Sequence, residues 1–141
     1  MGSSADIITA TEAIVGIVHE IPEAACAQMD LVPEYDISQV KDLRIVVTPQ
    51  SSICGNSGMA DRSSPARSVK VNIAIMQRLP GKDSIPEMLS FTESIAMNLE
   101  RRRIDNGYIT VVECDPIYDA VVFRQSKIFI AILTVTVKVM G

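Results

Sequence analysis

The feature that most constrains the fold is a segment near the end of the chain, from about Lys127 to Val139, with two different apolar patterns. In its first half, Ile128 to Leu133, every residue is apolar, so both alternating faces are apolar. In the second half, valines alternate with polar residues: Val135, Val137 and Val139 against Thr134, Thr136 and Lys138. The segment predicts a long strand, which is buried on both faces in its first half and exposed to solvent on one face in its second half. Burial of one isoleucine is worth roughly 1.5–3 kcal/mol, so this cover is a strong requirement.

Other segments predict further strands, because they are either short β-branched runs or alternate apolar with polar residues between turn residues. A short apolar segment, Ala120 to Phe123, precedes the last strand. The candidate strands are Leu43 to Thr48, Arg67 to Leu79 and Tyr108 to Glu113.

A first helix is predicted from about Asp6 to Ile21, where apolar residues recur at three- and four-residue spacing. Asp6 is suited to cap its start, and Pro22 to end it. The connection from Pro22 to Asp42 contains acidic residues and apolar clusters, and we expect it to cover part of the core.

A second helix is predicted to begin at Ser84, because Ser84 and Glu87 have the S-x-x-E spacing of a capping box and Pro86 lies in the first turn. We expect Gly107 to close this helical region. The apolar stripe is Ile85, Met88, Leu89, Thr92, Ile95, Ala96 and Leu99.

Gln50 to Pro65 is rich in Gly and Ser, which predicts a long flexible loop at about residues 50–66. The stretch Gly55 to Gly58 resembles a phosphate cradle, but a strand follows it instead of a helix N-terminus, so a linker is favoured. We expect the loop to be cut by trypsin after Arg62 or Arg67 in free subunits and to become ordered on assembly.

The order of these elements predicts one α+β domain over residues 1–141. The expected architecture is a two-layer sandwich, in which a mostly antiparallel sheet of four or five strands packs against two helices.

The residue types that carry most catalysis and metal binding are sparse. His19 is the only histidine, and its spacing of one turn from Glu23 would allow a local ion pair. Cys26, Cys54 and Cys114 are widely separated, which favours reduced thiols over a zinc site. None of the common nucleotide, hydrolase or metalloprotease motifs is present. The chain is predicted to be no enzyme, to need no cofactor or metal, and to keep its function when these four residues are substituted.

Two charged clusters are candidate interaction sites with alternative explanations. Arg101, Arg102 and Arg103 either bind an acidic partner or form a solvated helix end that complements the helix dipole. Asp115 and Asp119 either chelate a cation or belong to an ordinary Asp-Pro turn. A net charge of −4 argues against a phosphate-binding surface, and the longest apolar run is far below the roughly 20 residues that span a bilayer.

Several segments, taken in chain order, resemble one protein family. They are Val46-Val47-Thr48-Pro49, Val69-Lys70-Val71-Asn72-Ile73-Ala74-Ile75, Glu93-Ser94-Ile95, Asp115-Pro116-Ile117-Tyr118-Asp119 and Phe129-Ile130-Ala131-Ile132-Leu133-Thr134-Val135-Thr136. With the helices around them, they resemble the tail terminator proteins of long-tailed bacteriophages, small subunits that form a ring on top of the tail tube.

The resemblance implies a structural virion protein, assembled in the host cytoplasm, that forms a hexameric ring, stops tail-tube polymerisation and offers a docking surface to the head. Its partners would be copies of itself, the tail tube protein and the head–tail connector protein. DNA would pass through the channel without specific binding, no cofactor is implied, and no membrane is involved. The contacts would come from the loop Gln50 to Arg67 and the last strand. The candidate interface residues are Arg62, Arg67, Arg101, Arg102, Arg103, Asp115 and Asp119.

Two alternatives remain open from the sequence. Other neck components, such as head-completion or connector subunits, share the size, composition and ring habit of the terminators. A small-molecule-binding or catalytic α+β domain is the alternative from a different class, and a pocket lined by convergent polar groups would favour it.

Overall fold

The computed structural model describes residues 6–31, 40–49, 66–104, 107–114 and 120–140. The helices are α1 (Asp6–Val18), α2 (Ile85–Leu99) and α3 (Ala120–Ser126), with 3-10 turns at Pro22–Ala24 and Lys82–Ser84. The strands are β1 (Gln28–Met29), β2 (Arg44–Pro49), β3 (Ala66–Arg78), β4 (Arg103–Ile104), β5 (Gly107–Cys114) and β6 (Ile128–Met140).

The strands form one sheet in the order β1-β2-β3-β6-β5-β4. Every neighbouring pair is antiparallel except β1 and β2. The centre of the sheet is the pair β3 and β6, which stay in register from Ala66 opposite Met140 to Arg78 opposite Ile128. The predicted α+β class and the mostly antiparallel sheet are confirmed. The sheet has six strands rather than the expected four or five, because it includes the two-residue strands β1 and β4.

The main core lies between one face of the sheet and the helices α1 and α2. Alternate residues of each long strand point into it, and most of them are fully buried because apolar helix stripes pack against them, while Val112 and Cys114 of β5 are partly buried. Among its largest fully buried side chains are Ile14 of α1, Ile95 and Leu99 of α2, Ile45 of β2, Ile73 of β3, Ile109 of β5, and Phe129 and Leu133 of β6.

We call the opposite side of the sheet the open face. At one end it carries a second, smaller buried cluster, with Ile130 half-buried beside it: Val40, Val46, Ala74, Met76 and Ile128. Arg78 fixes this end, since its Nε donates to the Val40 carbonyl at 3.2 Å and its Nη1 to the Ser126 carbonyl at 3.2 Å. The cover predicted for both faces at the start of the last strand is therefore supplied partly by the chain itself.

The first helix is shorter than predicted and ends at Val18 rather than Ile21. The last residues leave the helix through tighter bonds, from Glu20 N–H to the Ile17 carbonyl and from Ile21 N–H to the Val18 carbonyl. Ile21 is extended (φ −90°, ψ 115°) because the following Pro22 disfavours a helical residue before it.

The capping box predicted at Ser84 and Glu87 is wrong. Ser84 has a helical backbone (φ −89°, ψ −7°) as the last residue of a 3-10 turn, and its side chain makes no capping bond. A capping residue needs an extended backbone for its hydroxyl to reach the free N–H groups of the first turn. Pro86 does lie in the first turn, and the buried positions Met88, Thr92, Ile95 and Leu99 confirm the predicted stripe.

The prediction that Gly107 closes the helical region is wrong. Gly107 lies in β5 opposite Val139. A Cβ atom here would collide with the backbone carbonyl of Lys138, which explains the need for glycine. The left-handed residue after α2 is instead Arg101, with φ 60°.

The segment Ala120 to Phe123 belongs to the short helix α3. Phe123 packs against the main core, and Lys127, with φ 63°, closes the helix end as its N–H donates to the Phe123 carbonyl at 2.7 Å.

Candidate interaction surface

His19 makes a hydrogen bond within the fold. Its Nε2–H donates to the Ala27 carbonyl at 2.7 Å, since a carbonyl oxygen can only accept. This bond ties the end of α1 to the segment before β1, and the ion pair that the spacing to Glu23 would allow is not formed. No group of three or more His, Cys, Asp or Glu that could hold a metal ion occurs within the described residues.

The cysteines agree with the expectation of thiols as far as they are described. Cys26 is an exposed thiol and Cys114 a half-buried one in β5. Cys54 lies outside the described residues.

The three arginines of the run Arg101 to Arg103 do not form one surface patch, because their side chains lie in three different environments. Arg102 donates from Nη2 to both carboxylate oxygens of Glu20, at 3.1 and 2.8 Å, and from Nη1 to the Asn98 carbonyl at 3.3 Å. It therefore joins the end of α2 to the turn after α1. Its bond to the Asn98 carbonyl is also the kind of contact expected of a cation at a helix C-terminus. The hydrogen bonds that Arg102 donates to Glu20 lower the pKa of the Glu20 carboxyl.

Arg101 lines a cleft of about 430 Å³ between the end of α2 and β5. The other lining residues are Glu100, Thr110, Val111 and Val112. Arg103 is exposed and lies in β4 opposite Tyr108, which places it on the open face.

The remaining candidate residues are described little or not at all. The backbone of Arg67 lies in β3 opposite Val139, while its side chain lies outside the described part. Arg62, Asp115 and Asp119 lie outside the described residues, as do residues 50–65 of the predicted loop.

The far end of the open face carries basic residues around two exposed apolar ones. Strand register places Tyr108 between Arg103 and Lys138, and Thr136 between Val111 and Lys70. Tyr108 is 38% and Val111 45% exposed. We call this surface the basic patch: Lys70, Arg103, Tyr108, Val111 and Lys138.

Hydroxyl and amide groups continue the open face beside the basic patch. The Thr134 hydroxyl donates to Asn72 Oδ1 at 3.2 Å, and the Thr110 hydroxyl to the Thr136 carbonyl at 3.2 Å. Glu113 stands at the rim, one row further, opposite Thr134. Sequence reasoning missed this patch, although the alternation in β3 and β6 already indicated that Lys70 and Lys138 share the outer face.

The outer edge of β5 is only partly paired. β4 pairs with Gly107 and Tyr108, and within the described residues no strand continues along this edge. A register shift between Ile109 and Val111 bends the strand there, a device that limits unwanted edge pairing.

The outer surface of the helix layer has the opposite charge. α1 and α2 contain no Lys or Arg, while Glu12, Glu87 and Glu93 are exposed. Met97, one turn after Glu93, is 72% exposed. We call the part on α2 the acidic stripe: Glu87, Ser90, Glu93, Ser94 and Met97.

No helix of the described part is long and apolar enough to pass through a membrane. No protein-family model and no curated protein matches the chain. Nine chains of solved structures do match. One comes from the virion of a native gene transfer agent (GTA) particle, with a TM-score of 0.58 and 8% identity, over 99% of this chain and 100% of that chain. At this identity the likeness shows a shared fold, and it does so over the whole length of both chains.

Proposed function

We propose that this chain is a structural protein of a phage-like virion. The observation that carries the proposal is the shared fold with a chain of the gene transfer agent virion, which leaves almost no part of either chain unmatched. The surfaces suit assembly, since the chain presents a basic patch, an acidic stripe and a partly unpaired strand edge. The one histidine, His19, donates a hydrogen bond to the Ala27 carbonyl, which suits a residue with a structural role.

The proposed place in the virion is the neck, as a ring at the head-proximal end of the tail tube. This is supported by the resemblance of the ordered sequence segments to tail terminators. The ring would end tube polymerisation and receive the head, with copies of the chain, the tail tube protein and the head–tail connector protein as partners. Six copies with a charge of −4 each sum to about −24, which suits a channel that DNA crosses without binding.

Deleting the gene in the strain that produces the particle tests this place directly. A terminator is needed to stop the tube, so its loss gives tubes longer than wild type, visible by electron microscopy of lysates. Loss of a head-completion or connector subunit gives tails of normal length beside unjoined heads. Particles of normal form and number would contradict the proposal.

The ring itself is measured on the purified chain. Light scattering should give about 92 kDa for six copies of 15.3 kDa, and electron microscopy should show the symmetry, alone or on isolated tails. A chain that remains a monomer even with tail tubes present is not a ring subunit.

A further inference from the structure

We propose that the basic patch of one copy docks on the acidic stripe of the next copy. The inference rests on the proposed ring, and it names the two surfaces that build it.

The cations of the basic patch and the acids of the acidic stripe lie on opposite layers of the chain. On the open face, Lys70 and Arg103 are exposed and Lys138 is half-buried, with Glu113 at the rim. The two long helices of the other layer carry no cation, and Glu87 and Glu93 are exposed on α2. Two copies stacked layer on layer therefore bring unlike charges together.

The apolar groups of the two surfaces also correspond. Tyr108 and Val111 are exposed between the cations of the basic patch. Met97 is the most exposed large apolar side chain of the described residues and lies one helical turn from Glu93, with which it shares a face. A thioether packs well against an aromatic edge, so Met97 fits the Tyr108 side of the patch with the acids directed at the cations.

The placement of the two surfaces also determines the symmetry. They lie on opposite layers of the chain, so one copy cannot join its own patch to its own stripe. A two-fold dimer through the patch would bring like charges together. A patch-to-stripe contact is head-to-tail, repeats from copy to copy, and closes into a ring when the rotation allows.

A nucleic-acid backbone is the competing occupant of the cations. The second copy is favoured because the complementary acids and apolar anchor are present on the same chain, whereas a phosphate ligand leaves Met97 and the acidic stripe unexplained.

Charge reversal tests the contact with four double variants. The sheet variant is Lys70→Glu with Arg103→Glu, and the helix variant is Glu87→Lys with Glu93→Lys. The control is Lys41→Glu with Lys82→Glu, which changes the net charge as the sheet variant does at exposed cations outside the patch. The fourth is the helix variant's own control, Glu12→Lys with Glu23→Lys, at exposed acids off α2.

Light scattering is run at a concentration where wild type is a ring, and circular dichroism verifies the fold. Each reversed variant is expected to lose association at least tenfold, while both controls keep it. A 1:1 mixture of the sheet and helix variants is expected to recover the ring, because alternating copies join reversed patch to reversed stripe and native patch to native stripe. Recovery also shows that both variants are folded.

Each other result overturns the inference. Rings that persist in both reversed variants place the contact elsewhere and leave the proposed ring intact. A mixture of folded variants that stays dissociated shows that patch and stripe do not meet. A sheet variant that loses binding to DNA with an unchanged ring assigns the patch to nucleic acid. Wild type that forms no ring at any concentration, or on tails, removes the proposed function as well.

Discussion

Arg102 holds Glu20 across 82 residues of sequence, with Nη2 donating to Oε1 at 3.1 Å and to Oε2 at 2.8 Å. The pair connects the segment after α2 with the turn after α1. Asn98 reinforces the same junction, since its Nδ2 donates to the Ile17 carbonyl at 3.4 Å. The ends of the two helices are thus joined by polar contacts at the border of an apolar interface, and one of those contacts is titratable.

The stability that this pair adds is expected to depend on pH. Hydrogen bonds from Arg102 lower the pKa of Glu20 below its ordinary value of 4.5. Its contribution is therefore complete above that ordinary value and is lost as pH falls through the lowered pKa. Glu20→Gln should be less stable than wild type at neutral pH, and the difference should vanish in acid.

Urea unfolding of both proteins between pH 7 and pH 2 measures this difference. The effect is small because both side chains are partly exposed, and added salt should reduce it. Glu23→Gln is the matched control, as Glu23 is an exposed acid on the adjacent turn. A Glu20→Gln difference that is constant over the whole pH range would contradict the role of the ion pair.

Gly107→Ala is expected to lower the free energy of unfolding by about 1–3 kcal/mol. The added Cβ would collide with the Lys138 carbonyl oxygen and lie 2.9 Å from its carbon, and this backbone cannot move without disturbing the pairing of β5 with β6. Gly16→Ala is the control, because nothing lies within 4 Å of a Cβ there.

The Gly16 control should be stabilising by about 0.5–1 kcal/mol, since alanine costs less backbone entropy in a helix. Thermal unfolding monitored by circular dichroism compares both variants with wild type. Equal effects of the two substitutions would show that β5 does not approach β6 as closely as described.

The long elements could be predicted from sequence because their periodicity persists over many residues. β3 alternates over most of its thirteen residues, β6 is a thirteen-residue segment that is apolar throughout its first half and alternates in its second, and the apolar stripe defines α2. β1 and β4 have two residues each, too few to show any period. The valines of α3 favour a strand, and the packing of Phe123 on the core overrides that local preference.

Local backbone angles decided the two corrections at turns. Whether Ser84 caps a helix depends on its φ and ψ, which the S-x-x-E spacing does not determine. Arg101 takes the left-handed conformation that glycine normally supplies, so the arginine run was divided among three environments rather than presented as one surface.

The place of Val111 in the basic patch depends on a register shift that no alternation rule foresees. Strict alternation from Gly107 would place Thr110 on the open face and Val111 in the core. The bulge between Ile109 and Val111 turns Val111 outward, opposite Thr136, and leaves Val112 to pack on the core. The other outward-facing positions of the patch were thus predictable strand by strand, while the position of Val111 was not, and the assembly of all of them into one surface required the pairing of four strands.

Leu133 and Ile132 are neighbours on β6 that face opposite sides of the sheet. Leu133 is fully buried between the sheet and the helices, and Ile132 is half-buried on the open face opposite Ala74. Substitution by alanine removes three carbon atoms in either case, so the pair compares the two faces with matched chemistry. Leu133→Ala should cost about 2–5 kcal/mol, because the filled core leaves a cavity behind.

Ile132→Ala should cost clearly less in the isolated subunit, since its side chain already contacts water and gives up less apolar burial. Urea midpoints measured under conditions where the chain is a monomer give both values. Equal losses would mean that the open face is as fully covered as the core, which would leave no free sheet surface at this row. The two variants can also be compared in the assembled ring. A larger loss of stability for Ile132→Ala there than in the monomer would mean that the neighbouring copy buries this row as well. The contact would then extend beyond the basic patch toward the start of β6.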